Sequence, residues 1–194
     1  MVVSPRRDEV GAEIIDRCRR GDRDAFRALY DAHKDQVYSI ALYFFHGDAA
    51  TASDVTQQVF MKLMTEIARF RGDSRFSTWL HRLVVNACLN GQRRAKSGAV
   101  ATDPVVLDAR ARPAVHEEDF ERARLARSIQ TAIDHLPPQF RIVILLRYFD
   151  DLSYEEIAEA LNCSIGTVAS RLNRGHRLLA ETLAPLRAIV SVKR

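Results

Sequence analysis

Ser170, Asn173, Arg174 and Arg177 recur at i, i+3, i+4 and i+7 and therefore share one face of any helix that carries them. Their chemistry is that of base-edge recognition. Arginine meets guanine bidentately, asparagine pairs with adenine, and serine bonds to either. The element that must hold them opens at Ser164, a natural N-cap, and puts Val168, Leu172 and Leu179 on another side. A shorter helix precedes it. Ser153 and Glu156 stand at capping-box spacing, and Ile157, Ala158 and Leu161 form an apolar stripe that Asn162, Cys163 and Ser164 interrupt. Two helices joined by so tight a turn, the second with an Arg/Asn/Ser face, make the helix-turn-helix pattern, whose second helix enters the DNA major groove. An ordinary helical hairpin with a solvated polar face has the same pattern, and the rest of the chain must decide between them.

A second stretch, Phe70 to Arg94, places Phe70, Arg71, Ser74, Arg75 and Phe76 in a loop that leads into a helix with a basic far end. Aromatic rings stack on unpaired bases while arginines neutralise phosphates, which is how proteins hold single strands. Asn86 can bond a base edge. Burial habits favour the core for Trp79 and Phe76, and a satisfied buried amide is an equal role for Asn86. A third stretch, Asp54 to Phe60, has a polar side that suits either a docked protein or water. Nothing is arranged for catalysis: there is no G-x-S-x-G, Walker A loop, H-E-x-x-H or dinucleotide fingerprint. Glu155 and Glu156 lie at a helix start, where carboxylates favour the dipole.

Of the 194 residues, 47% are hydrophobic, enough for a core and against global disorder. The net charge of +4 matters less than its placement. Arg69 to Lys96 holds seven Arg or Lys against the single acid Asp73, and Ile165 to Arg194 holds six against Glu181. Two basic surfaces separated in sequence point to two contacts along a polyanion. Cys18, Cys88 and Cys163 form neither a disulfide framework nor a zinc pattern, so a reducing cytoplasm is the expected compartment, with Cys163 a small buried thiol. No metal or cofactor is expected. No signal-peptide core appears, and the apolar run Ile142 to Leu146 is too short to span a bilayer.

The periodicity predicts an all-α protein. A short helix with Val10, Ile14, Ile15 and Cys18 stops at Gly21, and Asp22 or Asp24 caps the next, which ends near Gly47. A third starts around Thr51 to Asp54 and carries Val55, Val59, Leu63 and Ile67, and a fourth opens at about Ser77. From Ser97 to His116 no period is sustained, and a connection of that length marks a domain boundary. Beyond it a helix from about Glu117 carries Phe120, Leu125, Ile129, Ile133 and Leu136 on one face and stops at Pro137-Pro138. Phe140 to Tyr148 then forms an apolar helix ahead of the helix-turn-helix pair. The expected organisation is two small helical domains, 1–96 and 117–194, joined by a flexible linker, 97–116.

Taken in order, GDRDAFRALYDAHKDQVY, SDVTQQVFMKL, FRGDSRFSTWLHRLVVNACLNGQRR, LPPQFRIVILLRYFDDLSYEEIAEAL and CSIGTVASRLNRGHRLL resemble the bacterial RNA polymerase sigma factors of the extracytoplasmic-function (ECF, group 4) type, over about Gly21 to Leu183. The resemblance implies sigma region 2 and region 4 domains without a region 3 domain. It implies that Asp54, Gln57, Gln58 and Phe60 meet the clamp helices of the core polymerase's largest catalytic subunit. Phe70, Arg71, Ser74, Arg75 and Phe76, with Asn86 and Asn90, would hold an extruded base of the −10 element, and Arg93 and Arg94 would contact DNA upstream. Thr167, Ser170, Arg171, Asn173, Arg174 and Arg177 would read the −35 element. Promoter DNA, core polymerase and an inhibiting anti-sigma factor are the implied partners. Ala169 stands where many members carry Lys or Arg, and Asn90 where an Asp is common. A free-standing helix-turn-helix repressor is the nearest alternative, but such proteins dimerise on palindromic sites and this chain offers no evident dimerisation element. A cytoplasmic adaptor whose helix pair binds protein is the more distant one.

Overall fold

The computed structural model describes residues 11–97 and 117–191. They form eight α-helices: α1 Ala12–Arg19, α2 Arg23–Phe44, α3 Ala49–Glu66, α4 Phe76–Ser97, α5 Glu117–Asp134, α6 Pro138–Tyr148, α7 Tyr154–Leu161 and α8 Ile165–Ser191. A single 3-10 turn, Ile67–Arg69, follows α3, and there is no strand among the described residues. The all-α expectation holds. Val10 and residues 98–116 of the predicted linker lie outside the described residues, as does the side chain of Phe120, whereas Ser97 ends α4.

Helix α2 begins where Asp22 accepts from the backbone N–H groups of Asp24 (2.9 Å) and Ala25 (3.1 Å), satisfying two orphan donors. The same carboxylate takes a bond from Arg17 Nε at 2.8 Å, so the last turn of α1 is fastened to the first of α2. Leu29, His33, Val37, Ile40, Ala41 and Phe44 make the buried stripe of α2. The chain then reverses through His46 (φ 58°) and Gly47 (φ 82°). Asp48 caps α3 through Ala50 N–H (3.0 Å), Thr51 N–H (3.1 Å) and the Thr51 hydroxyl (2.6 Å). Helix α3 thus starts a turn earlier than its apolar periodicity indicates. The run of small residues at Ala49–Ser53 gives no marked apolar period, and the cap sets the boundary.

Helix α5 differs more from expectation. Among its described side chains the inward ones gather at the C-terminal end, with Ala132 and Ile133 buried and Leu136 following in the turn beyond, whereas Leu125 is 44% and Ile129 40% exposed. Helix α6 opens with Pro138 at its first turn, where a missing N–H costs nothing, and is buried almost continuously from Phe140 to Leu146.

The two groups of helices, α1–α4 and α5–α8, share one continuous core, with α2 against α6 and α4 against α7. The joint is polar at its centre. Arg141, in the first turn of α6 and 3% exposed, donates to the carbonyls of Asp134 (2.7 Å), Leu136 (2.8 Å) and Ile133 (3.2 Å) at the end of α5. It also donates to Phe44 O at the end of α2 (2.6 Å) and meets His46 Nε2 at 2.9 Å. One guanidinium therefore caps the C-termini of two helices, where orphan carbonyls and the negative end of the dipole favour a cation. Burial pushes its pKa down, an effect the nearby Asp134 partly opposes.

Candidate nucleic-acid interface

The helix-turn-helix pair forms as its local signals dictate. Ser153 Oγ accepts from Glu156 N–H at 3.2 Å, and Glu156 Oε2 accepts from Ser153 N–H at 2.8 Å, a complete capping box. Helix α7 ends at Asn162, which takes the left-handed conformation (φ 49°, ψ 53°) open to asparagine, while Cys163 N–H reaches back to Ala158 O at 2.9 Å. Ser164 Oγ then accepts from Thr167 N–H at 3.2 Å and opens α8.

Val168, Leu172 and Gly175 are buried along the inner side of α8. Gly175 permits the close approach to α6: a Cβ there would lie 3.2 Å from Ile144 Cγ1. Ser170, Asn173, Arg174 and Arg177 are exposed on the opposite side, and Arg171 is half-buried. A face of hydroxyl, amide and guanidinium groups thus points away from a rigid anchor. Three of the candidate residues are partly engaged, Ser170 through a bond from Oγ to Thr167 O at 3.2 Å. Thr167 Oγ1 sits 2.9 Å from Ser164 Oγ within the cap, and Arg177 stands 3.9 Å from Glu181 in an exposed pair. Ile165, 48% exposed at the first position of the helix, is an apolar group on this surface that side-chain polarity alone does not single out.

On α4 the apolar side, Trp79, Leu80, Leu83, Val84 and Cys88, is buried, and Asn86, Asn90, Arg93 and Arg94 are exposed. The buried-amide role for Asn86 is therefore excluded. Arg93 donates to Asn90 Oδ1 at 3.4 Å. Arg82, exposed one turn before Asn86, extends the same stripe beyond the residues expected there, and its i−4 spacing from Asn86 is the signal that marks it.

The loop before α4 needs correction. Phe76 is 6% exposed and cannot stack on a base as it stands, because its ring packs with Phe70 (centroids 5.8 Å apart) and Trp79 (5.8 Å). Trp79 is core, as its size favours. Phe70 is half-buried in the same cluster, Ser74 is half-buried, and Arg71 and Arg75 are exposed. The aromatic cluster is a foundation for the loop, which leaves Arg71 and Arg75 at the surface.

Helix α3 shows a similar division. Asp54, Gln57 and Gln58 are exposed, whereas Phe60 is 6% exposed with its ring edge-on to Tyr30 at 4.7 Å. Phe60 thus belongs to the core and not to the exposed face of α3, since helical phase turns it inward with Val59 and Leu63. The exposed face continues instead through Met61 and Met64, each 60% exposed. Cys163 is half-buried, not fully so, and Cys88 is buried with its thiol pushed up to about 12 by desolvation. Among the described residues no group of His, Cys, Asp and Glu could hold a metal ion, and no helix is long and apolar enough to cross a membrane.

Comparison with known proteins adds an independent line. The Sigma-70 region 2 family matches residues 29–98, and the Sigma-70, region 4 family matches residues 126–179. The chain is 35% identical to the RNA polymerase sigma-H factor of Pseudomonas aeruginosa, over 92% of this chain and 96% of that protein. It is 32% identical to the ECF RNA polymerase sigma factor SigW of Bacillus subtilis (89% and 96%) and 33% identical to the ECF RNA polymerase sigma-E factor of Escherichia coli (89% and 94%). Its fold is similar to that of CnrH solved with the cytosolic domain of CnrY (TM-score 0.65, 22% identity, 89% of this chain and 96% of that one). It is equally similar to the sigma factor RpoE of Bartonella quintana solved with the anti-sigma factor NepR (TM-score 0.65, 22% identity, 82% and 96%). With the region 2 and region 4 families matched in this order and relatives matched across nearly their whole length, the chain belongs to the ECF RNA polymerase sigma factor family.

Proposed function

We propose that this chain binds core RNA polymerase in the cytoplasm and directs it to promoters without catalysis of its own. In this reading residues 117–194 read the −35 element as duplex through α8, and residues 1–96 capture the unpaired −10 strand along α4 and its preceding loop. Unpairing costs a few kcal/mol, which base capture can offset. The exposed α3 face, Asp54, Gln57 and Gln58 with Met61 and Met64, is the proposed seat of the polymerase clamp helices, and an anti-sigma factor is the proposed inhibitor. The observation that carries the reading is the row Ser170, Asn173, Arg174 and Arg177, exposed on a helix whose other side is anchored by Val168, Leu172 and Gly175.

The test is a pull-down of the purified chain with core polymerase, followed by run-off transcription from a promoter library. Stoichiometric binding with start sites that share −35 and −10 motifs is the expected outcome. Arg174→Ala is expected to weaken binding of a cognate −35 site by about 1–3 kcal/mol. Failure to bind core, with intact duplex binding, would replace this reading by the repressor.

A further inference from the structure

We infer that Ile165 determines part of the −35 preference and reads a thymine in the major groove by its C5-methyl group. The inference deepens the proposed reading of that element by α8 and rests on it. Residues four apart stand one above the other on a helix, so the exposed surface of α8 is laid out in ridges. Ile165, Ala169, Asn173 and Arg177 make one ridge, and Gly166, Ser170 and Arg174 the next. Both change chemistry at the same level. Ser170, Asn173, Arg174 and Arg177 carry hydroxyl, amide or guanidinium groups, whereas Ile165, Gly166 and Ala169 have no side-chain donor or acceptor. Thr167, on the following ridge, has its hydroxyl 2.9 Å from Ser164 Oγ within the cap. The N-terminal end of these two ridges therefore recognises by apolar contact. Among base edges in the major groove only thymine offers an apolar group, its methyl, and apolar side chains are what meet it. The N-terminal residues of such a helix are also the ones presented to base edges.

Ile165 is placed for this contact and not for the core. Val168 and Leu172, both 0% exposed, anchor this part of α8 and leave Ile165 48% exposed. Its backbone is held by the cap, with Thr167 N–H 2.9 Å and Val168 N–H 3.2 Å from Ser164 O. A β-branched side chain on a helix keeps one strongly preferred rotamer, so little freedom is lost on contact. A Cβ on neighbouring Gly166 would meet nothing nearer than Ser164 Oγ at 3.9 Å, and Ala169 is half-buried one turn on. Flanked by residues this short, Ile165 projects furthest of the three. The reach of the contact follows from helix geometry. Ile165 and Asn173 are eight residues, about 12 Å, apart along the axis at 1.5 Å per residue. That length covers at most about four base pairs at 3.4 Å each. The thymine accordingly lies within four base pairs of the position read by Asn173 and Arg174.

The test uses holoenzyme assembled from the full chain and core polymerase, on duplexes carrying the −35 motif that the promoter library defines. Each −35 thymine, on either strand, is replaced in turn by deoxyuridine, and binding is followed by fluorescence anisotropy. The replacement removes the methyl group and leaves every hydrogen-bonding edge intact. One thymine within four base pairs of the position to which Arg174→Ala is sensitive should lose about fourfold in affinity, the equivalent of one buried methylene at about 0.8 kcal/mol. Ile165→Ala should weaken binding to the thymine duplex by a similar factor and bind the deoxyuridine duplex no worse than the thymine one. If Ile165→Ala instead weakens both duplexes equally, its role is general and the inference is overturned. A parent insensitive to every replacement overturns it too, as does a −35 motif with no A·T pair within that reach. In those three cases specific −35 binding persists, so the promoter-reading proposal stands while the methyl contact falls. Start sites that share no −35 motif remove the promoter-reading proposal and this inference with it.

Discussion

Replacing Arg141 with Met keeps an apolar stem in place of the side chain's methylenes and removes every guanidinium donor at the junction of α2, α5 and α6. The three shortest bonds, to Phe44 O (2.6 Å), Asp134 O (2.7 Å) and Leu136 O (2.8 Å), end on carbonyls at helix C-termini. A buried acceptor left without its partner costs about 1–3 kcal/mol. Three at the low end give about 3 kcal/mol, and relief of the buried charge's desolvation keeps the total from rising much further. For a chain of this size that is a fall in melting temperature of about 10 °C. The assay is urea denaturation followed by circular dichroism, with the midpoint expected to fall and the slope to stay constant if one core still unfolds as a unit. Arg141→Lys retains the charge and loses the planar fork, so it should fall between the parent and Met. A loss under about 1 kcal/mol for Arg141→Met would refute the claim that this guanidinium holds two helix ends.

Three further outcomes follow from local geometry. Asp48→Ala should cost about 1 kcal/mol through loss of the α3 cap. The hydroxyl of Thr51, then its N–H, hold the Asp48 carboxyl below its ordinary range, so the parent's advantage is complete at neutral pH and disappears as pH falls through that lowered value, measurable by denaturation from pH 7 to pH 2. Gly175→Leu should destabilise by about 1–3 kcal/mol, because the larger side chain has Ile144 and Phe140 in its way, and a crystal structure or the denaturation midpoint would register the displacement of α8 from α6. Cys88, buried and with its thiol raised to about 12, should resist alkylation at pH 8 in the folded chain and react only after unfolding, while half-buried Cys163 labels first in mass spectrometry.

What the sequence made legible was what neighbours in sequence decide. Ser153 with Glu156, Asp22, Ser164 and the four-residue polar row on α8 each act within one or two turns, and each appears where its local chemistry puts it. The paired prolines locate the start of α6 for the same reason. Side chains whose fate depends on distant partners were not legible. Phe60 and Phe76 are the right types for contact surfaces, but helical phase and the rings of Tyr30, Phe70 and Trp79 turn them inward. Leu125 and Ile129 have core-like spacing, yet both stay exposed, while Ala132 and Ile133 further along α5 find neighbours to cover them. Arg141 was hidden most completely: it reads as one of two charges in an apolar helix, and its partner Phe44 lies 97 residues away. The candidate −35 face could therefore be drawn from the chain alone, whereas the joint between the halves required the fold.

The interleaving of anchor and face on α8 constrains how this protein can change. Val168, Leu172 and Gly175 alternate with Ser170, Asn173, Arg174 and Arg177 within ten residues. Each residue advances the helix by 100°. A single insertion or deletion inside that span would swing part of the polar row toward the core and part of the anchor into solvent. Length variation is thereby closed to this segment, and substitution is the route left for altering its sequence preference. Divergence among copies of such a helix should accordingly collect at the exposed positions in fixed register, while insertions collect elsewhere in the chain.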